Sequence, residues 1–201
     1  MTAAHPSRPD FDAAYRADDD PFDVGSSWYE QRKIDITVAS LTQQRYQRIW
    51  DTACGTGHLT RSLADRCDSL VASDLSPRAV ELTAARLASE PDDGRAEVTT
   101  QVHGLPESLG NHEFDLIVLS EVVYYLPTLD LLALPATLLG SATPDGSEVV
   151  LVNWRHHPHD APRSGEHAAG LLDAALTEDG WALAVRHDDA DFVLRSWVRA
   201  R

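Results

Sequence analysis

The sequence predicts an α/β fold with a doubly wound, mostly parallel sheet of seven strands that ends in an antiparallel hairpin. Strand-like and helical patterns alternate between residues 45 and 154. The run Phe114–Leu119 is almost entirely apolar, which is typical of a strand covered by helices on both faces. The last two strand-like runs, Ala182–Arg186 and Phe192–Val198, face each other across a short polar segment and predict the hairpin.

The region before the first strand predicts helices. Residues 1–10 contain two prolines and no periodic pattern, which predicts disorder. We expect residues 11–44 to form a helical cap on a single domain that spans residues 11–201. Its main helix, Ser26–Leu41, has a capping residue at its start, Ser26 or Ser27, and an apolar face.

The remaining elements follow from short runs bounded by glycine, proline or aspartate. The predicted parallel strands are 45–50, 69–73, 96–102, 114–119 and 148–154. The predicted helices are 58–66, one that begins at Pro77 and ends before Pro91, 128–141 with an interruption at Pro135 left open, and 165–176.

The loop Asp51–Gly57 joins the first strand to a helix, and the next strand ends at Asp74. Small residues in such a loop let the backbone approach a ligand, and a carboxylate at the end of the second strand can accept both hydroxyls of a ribose. The loop lacks the third glycine of a dinucleotide fingerprint, since Thr60 stands there, and no Gly-Lys-Ser/Thr follows. A nucleoside without a diphosphate is therefore the favoured ligand.

The composition argues against several kinds of partner. The formal net charge of −15 argues against nucleic acid and against an anionic membrane, which both require a basic face. Two cysteines, Cys54 and Cys67, give neither a disulfide framework nor a metal-binding spacing. Without a signal peptide pattern or an apolar run long enough to span a bilayer, the expected location is the cytoplasm. Oligomeric state is not predicted.

The loop Asp51–Gly57 resembles the first motif of the class I S-adenosylmethionine-dependent methyltransferases, acid-x-Gly-x-Gly-x-Gly, with Ala53 in place of the first glycine. Asp74 matches the acid that binds the ribose in that family. Residues 114–122 match its fourth-strand motif and residues 144–147 the turn before its fifth strand. The resemblance implies a Rossmann-like methyltransferase fold, S-adenosyl-L-methionine as cofactor and S-adenosyl-L-homocysteine as product.

Two further comparisons concern individual positions. The family commonly has an acid after the third strand that binds the adenine amine, and His103 stands at that place. A neutral imidazole or a backbone carbonyl would have to accept that hydrogen bond. Segments 27–33, 119–126 and 153–155 resemble the nodulation-factor N-methyltransferase group, which implies N-methylation without naming this chain's substrate.

Site residues follow from the matching positions and from the strand ends. The expected cofactor-binding residues are Trp28, Arg32, Asp51, Ala53, Cys54, Gly55, Gly57, Leu59, Asp74, Leu75, Ser76, His103, Gly104, Ser120, Glu121 and Tyr125. For Trp28 and Arg32, packing and closure over the ligand are both open. The catalytic candidates are Glu121, Tyr124 and His156, with Glu121 either a base or a support for the cofactor.

Three hypotheses remain. The leading one is methyl transfer from S-adenosylmethionine to a small polar acceptor, such as an amine of a sugar or another metabolite. The alternatives are a non-catalytic cofactor-binding or partner module and a nucleotide-dependent oxidoreductase, against which the missing third glycine counts. The spacing of His156, His157, His159 and Asp160 fits no defined ligand motif, so no metal is expected.

Overall fold

The structure of the chain, a computed structural model, describes residues 9–89, 96–144 and 146–199. Within these residues, one seven-stranded sheet has the order β3-β2-β1-β4-β5-β7-β6. The strands are β1 Tyr46–Asp51, β2 Cys67–Asp74, β3 Glu97–Val102, β4 Leu116–Ser120, β5 Ser147–Trp154, β6 Ala182–Asp188 and β7 Phe192–Arg199. Strands β1 to β5 pair in parallel, and β7 is antiparallel to both β5 and β6. The predicted fold class is confirmed.

Six α-helices and one 3-10 turn are present in the described ranges. They are α1 Phe11–Ala17, α2 Trp28–Ala39, α3 His58–Ala64, α4 Pro77–Ala88, the 3-10 turn Val123–Tyr125, α5 Thr128–Ser141 and α6 Gly165–Glu178. Ser27 caps α2 and Ser76 caps α4, where the side-chain oxygen accepts the Ala79 N–H at 3.1 Å. Helix α5 is continuous through Pro135.

Helix α3 is shorter than the predicted 58–66, and β2 begins earlier than the predicted residue 69. The Arg66 N–H donates to the carbonyl of Leu63 at 2.8 Å, and the Arg66 carbonyl accepts the Tyr46 N–H at 2.8 Å. Pairing with β1 therefore draws the chain out of the helix two residues early. Residues 1–8 of the predicted disordered segment, the end of the α4 prediction before Pro91, and Asp145 of the predicted turn lie outside the described residues.

Both faces of the sheet are covered. On β4, the consecutive side chains of Leu116, Ile117, Val118 and Leu119 are all fully buried. Ile117 and Leu119 join the core beneath α5 and α6, whereas Leu116 and Val118 join the core beneath α2 and α3. An apolar run thus became a strand that is buried on both faces, because each face of the sheet needs alternate side chains.

The topology fixes where a ligand can bind. Strand β1 leads to β2 on one side, while β4 lies on its other side, so the strand order reverses between β1 and β4. In open α/β sheets the crevice at such a switch point, outside the carboxyl ends of the strands, is the usual ligand site. Within the described residues, no helix has both the length and the apolar character to cross a membrane.

Candidate active site

A cavity of about 750 Å³ lies at the carboxyl ends of β1, β2, β4 and β5. One half is lined by the loop after β1, the end of β2 and the segment 103–105. The other half is lined by side chains of α1 and α2, the segment 120–125 and the segment 157–160. We call these the loop half and the aromatic half.

Two glycines shape the loop half. Gly55 and Gly57 have φ values of 53° and 78°, a left-handed conformation that favours glycine. A Cβ atom on Gly57 would lie 2.9 Å from Thr83 Oγ1, so α4 also requires a glycine here. The Cys54 N–H is fixed by the Ser73 carbonyl at 2.9 Å, and burial raises the pKa of the Cys54 thiol. Cys54 therefore lines the cavity as a protonated thiol and is not a nucleophile.

Asp74 ends β2 inside the cavity, with only 8% of its surface exposed. Its carboxylate accepts the Gly55 N–H at 3.0 Å and the Ser76 N–H at 2.9 Å. These bonds fix the carboxylate on the glycine loop. A carboxylate held inside the cavity in this way can accept hydrogen bonds from a diol such as a ribose.

Asp51 ends β1 and is almost fully buried, at 1% exposed. One carboxylate oxygen accepts the Thr60 hydroxyl at 2.6 Å, whereas the other, Oδ1, has no hydrogen-bond partner among the described residues. Burial raises the pKa of Asp51 from 3.8 to about 6, opposed by Thr60 and assisted by the charge of Asp74. A buried, unpartnered carboxylate oxygen beside a cavity suits a cationic ligand group such as an ammonium.

His103 lines the loop half at the position where an acid is usual. Its backbone N–H donates to the Asp74 carbonyl at 2.9 Å, and its Nε2 lies 2.8 Å from the carbonyl oxygen of Glu107. Because a carbonyl can only accept, Nε2 carries the proton in this contact. In the neutral ring Nδ1 is then an acceptor, which is the property needed opposite an amine.

An ionic cluster joins α2 to the ends of β4 and β5, and we call it the Lys33 cluster: Glu30, Lys33, Glu121 and Tyr124. Lys33 is the single lysine in the sequence, and its side chain is 5% exposed. Its Nζ lies 2.6 Å from Glu121 and 2.9 Å from Glu30. Burial lowers the pKa of Lys33, but the two carboxylates outweigh it and the pKa lies above its usual range. Lys33 is therefore charged, and it links α2 to the end of β4 through Glu121.

Glu121 accepts hydrogen bonds from two members of this cluster and from the backbone of β5. It accepts Lys33 Nζ, the Tyr124 hydroxyl at 2.5 Å and the Trp154 N–H at 2.9 and 3.0 Å. Its φ of 53° lies in the left-handed region, which costs a non-glycine residue about 1 kcal/mol or more. Burial raises the pKa of Tyr124 well above its usual range, so its phenol remains a donor. Glu121 is thus saturated by donors within the protein.

The aromatic half contains residues that the sequence prediction did not select. Tyr29, Glu30 and Lys33 line the cavity from α2, while Trp28 and Arg32 do not. The helix turns about 100° per residue, so these two sets occupy different faces. The helical period distinguishes the two faces of α2 but does not show which one meets the cavity. The single lysine of the sequence, Lys33, was the one signal that could have identified the cavity face.

The cavity lining includes most of the predicted site residues. These are Asp51, Ala53, Cys54, Gly55, Leu59, Asp74, Leu75, His103, Gly104, Ser120, Glu121, Tyr124 and Tyr125. Trp28, Arg32, Gly57, Ser76 and His156 are not part of it.

The five residues outside the lining have other surroundings. Trp28 is 77% exposed, and Arg32 pairs with Asp189 of the β6–β7 hairpin at 2.6 Å. His156 is half exposed and lies 3.5 Å from Asp191. Gly57 and Ser76 lie outside the cavity lining, where they are the N-cap residues of α3 and α4.

The comparisons with known proteins agree with this geometry. Residues 50–147 match the model of a family described as "Methyltransferase domain". A crystal structure assigned as a methyltransferase from Pseudomonas syringae is 35% identical, with 86% of this chain and 100% of that chain covered and a TM-score of 0.71.

Nodulation proteins are also similar. Nodulation protein S of Rhizobium tropici is 31% identical over 111 residues, which are 55% of this chain and 44% of that protein. The chain matches about half the length of its curated relatives of this type, 44–50%. The fold is shared with N-methyltransferase NodS from Bradyrhizobium japonicum, solved with S-adenosyl-L-homocysteine, at 19% identity, a TM-score of 0.73 and coverage of 94% and 97%. With these similarities over the fold and the site, the chain belongs to the class I S-adenosylmethionine-dependent methyltransferases.

Proposed function

We propose that the chain transfers a methyl group from S-adenosylmethionine to a small polar acceptor, and that the accepting atom is an amine nitrogen. The observation that carries the proposal is a continuous cavity with two different halves. The loop half suits a nucleoside that bears an ammonium group, and the aromatic half suits a cationic acceptor.

The loop half offers a partner for each part of the cofactor. Asp74 would hold the ribose hydroxyls, Asp51 the ammonium of the methionine part, and His103 Nδ1 the adenine amine. The bound cofactor supplies an electrophilic methyl carbon on a positively charged sulfur. The N–H groups of Cys54, Gly55 and Gly57 already donate within the protein and are not available to a diphosphate, which agrees with a nucleoside that lacks one.

The aromatic half favours an amine by its charge. Of the described residues that line it, Glu30, Glu121 and Asp160 are acidic, and Lys33 is the cation. With histidines counted as neutral, this half carries a net charge of about −2, and Lys33 is already paired with two carboxylates. Acceptors with a carboxylate or phosphate would be repelled, whereas an ammonium would be attracted. The same charge disfavours a nucleic-acid substrate.

Rate acceleration would come mainly from positioning, as expected for an in-line displacement. The acceptor nitrogen must be uncharged when it attacks. We infer that Glu121, which accepts from three donors, supports the pocket floor, and that Glu30, whose side chain contacts Lys33 within the described residues, is better placed to take the proton. Burial raises the pKa of Glu30 despite Lys33, and Glu30 faces the cavity. A carboxyl with a raised pKa is a stronger base near neutral pH.

The test has two stages. Calorimetry with S-adenosyl-L-homocysteine is expected to give a dissociation constant of about 1–50 μM, a range typical of cofactors of this size. Release of S-adenosyl-L-homocysteine from S-adenosylmethionine is then measured with matched pairs of primary amines and alcohols, for example glucosamine and glucose. Turnover with amines alone supports N-methylation.

Other outcomes are equally informative. No binding of S-adenosyl-L-homocysteine to the wild-type protein contradicts the proposal. Binding without turnover on any acceptor favours a non-catalytic cofactor-binding module. Turnover confined to alcohols contradicts the amine assignment while leaving methyl transfer intact.

A further inference from the structure

Helix α5 exposes an apolar stripe on its outer face. Leu129 and Leu132 are 78% and 72% exposed. Ala133, Ala136 and Gly140 are also exposed on the same helix. At 3.6 residues per turn these five positions fall in a stripe roughly 100° wide. We call this surface the α5 stripe: Leu129, Leu132, Ala133, Ala136 and Gly140.

The inner face of α5 is already committed to the core. Leu131, Leu134 and Leu138 are at most 5% exposed and pack with α6 and the sheet. The helix is therefore apolar on both its inner and its outer face. A helix of this kind is normally covered on both faces, and contiguous exposed apolar residues mark an interaction surface.

The charge of the chain restricts what can cover the stripe. The chain carries a formal net charge of −15, and Asp130 is the single charged residue within α5. Most contacts between two copies of so acidic a chain would oppose like charges. In a two-fold dimer the same patch meets itself, so any charge on it would face its own copy. A stripe without charge is the kind of surface on which two copies can meet.

The order of side-chain sizes along the stripe is self-complementary. The large residues Leu129 and Leu132 lie in its first half, and the small residues Ala136 and Gly140 in its second. An antiparallel crossing centred between residues 134 and 135 places Leu129 of one copy opposite Gly140 of the other, and Ala133 opposite Ala136. No atom lies within 4 Å of the Cβ position of Gly140, so space is open there for an incoming leucine.

The same crossing separates the acids. The two copies of Asp130 would be nine residues apart along the helix axis, about 14 Å at 1.5 Å per residue. That distance exceeds the Debye length of about 8 Å at physiological ionic strength, so their repulsion is largely screened. We propose that the α5 stripe is the interface of a two-fold homodimer in which two α5 helices cross antiparallel.

The expected dimer is weak. One pair of 14-residue helices buries less than the roughly 1,200–2,000 Å² of a standard stable interface. A dissociation constant of about 1–100 μM is expected for such an area. The dimer must therefore be sought across a range of concentrations.

The proposal is tested by sedimentation equilibrium of the 201-residue chain between about 1 and 300 μM, a range chosen around that constant. The wild-type mass is expected to rise from 22.1 kDa toward twice that value. The double variant L129E/L132E is expected to remain at 22.1 kDa, because it places four acidic groups in the interface. Gly140→Trp is expected to do the same by filling the space opposite Leu129, at a position where an added Cβ atom meets no other atom within 4 Å.

The control variant is Leu183→Glu on β6, which adds a charge at a leucine that is 41% exposed and outside the stripe. It is expected to dimerise like the wild type, and circular dichroism checks that all variants are folded. A wild-type protein that stays monomeric at the highest concentration overturns the proposal. A dimer that survives in both L129E/L132E and Gly140→Trp also overturns it, since another surface must then hold the two copies together.

Discussion

At the scale of single residues, two carboxylates of the cavity have opposite surroundings. Asp74 accepts two backbone N–H groups of the glycine loop and its neighbour, whereas one oxygen of Asp51 has no partner among the described residues. The first carboxylate accepts hydrogen bonds from two donors, and the second is held in a setting where burial raises its pKa and disfavours its charge. This contrast leads to different predictions for the two positions.

Asp74→Ala is expected to weaken the binding of S-adenosyl-L-homocysteine by at least about 100-fold. Two hydrogen bonds to a charged carboxylate would be lost, each with a contribution of about 1.5–3 kcal/mol. Calorimetry measures the loss. The matched control is Asp68→Ala on the same strand, whose side chain is 64% exposed, and it should bind like the wild type. An Asp74→Ala protein that is folded and binds normally would contradict the assignment of Asp74.

Asp51→Asn is expected to stabilise the cofactor-free protein at pH 7.5 and to weaken cofactor binding. The rise of the Asp51 pKa from 3.8 to about 6 corresponds to a cost of about 3 kcal/mol when the group is charged. Because the folded state holds the proton more tightly, stability falls as pH rises from about 4 to about 6 and is constant above that. Asparagine removes this dependence while it can still accept the Thr60 hydroxyl.

Urea unfolding at several pH values measures this effect. The difference between Asp51→Asn and the wild type should be largest above pH 6 and should vanish near pH 4. A wild-type stability that increases between pH 4 and pH 6 by the contribution of Asp51 would show that the carboxylate is stabilised rather than strained.

His103→Phe is expected to weaken binding of S-adenosyl-L-homocysteine by about 5- to 10-fold, the effect of one hydrogen bond. Phenylalanine keeps a ring beside Trp50, whose centroid lies 6.0 Å from that of His103. The analogue in which a carbonyl replaces the adenine amine serves as the probe, since it has no amine to donate. The wild type should prefer the amine form, and His103→Phe should lose that preference. An unchanged preference in the variant would place the amine elsewhere.

At the scale of elements, the Lys33 cluster attaches α2 to the sheet across the cavity. Lys33→Met is expected to lower the free energy of unfolding by about 3 kcal/mol, because two partly buried carboxylates lose their cation. The additional change Glu30→Gln should recover part of that loss, since it removes one of the two charges. Urea unfolding at pH 7.5 compares the three proteins.

The control for this experiment is Arg45→Met, which breaks an exposed pair with Asp68 whose side chains are 51% and 64% exposed. Its effect should stay below about 1 kcal/mol. If Lys33→Met were equally mild, the cluster would contribute little and α2 would be held by its apolar contacts alone.

At the scale of the whole molecule, one buried acid connects the centre of the sheet. Glu148 on β5 is fully buried and accepts hydrogen bonds from Tyr46 on β1, Ser196 on β7 and Thr42 before β1. Glu148→Leu is expected to cost at least about 2 kcal/mol, because it leaves the buried hydroxyl groups of Tyr46 and Ser196 without this acceptor. Glu148→Gln retains an acceptor oxygen and should cost less, and thermal unfolding distinguishes the two. Equal stability of both variants and the wild type would contradict this role.

Much of the fold could be predicted because its signals are local. The apolar run of β4, the capping serine of α4 and the hairpin strands are each contained in a few neighbouring residues. The loop half of the site was predictable for the same reason, since Asp51, the glycines and Asp74 lie at the ends of adjacent strands. The aromatic half was less predictable, because Glu30 and Lys33 approach Glu121 across about 90 residues of sequence.

The sequence by itself determined the order of strands and helices, the glycine loop with its two acids, and the family to which these belong. Periodicity, turn residues and short motifs carry that information without long-range contacts. The tertiary structure decided which face of α2 meets the cavity, that Lys33 pairs with Glu121, and that the outer stripe of α5 stays exposed. These features depend on which distant surfaces pack together. The pattern of a helix distinguishes its faces, but it does not show which part of the protein covers each face.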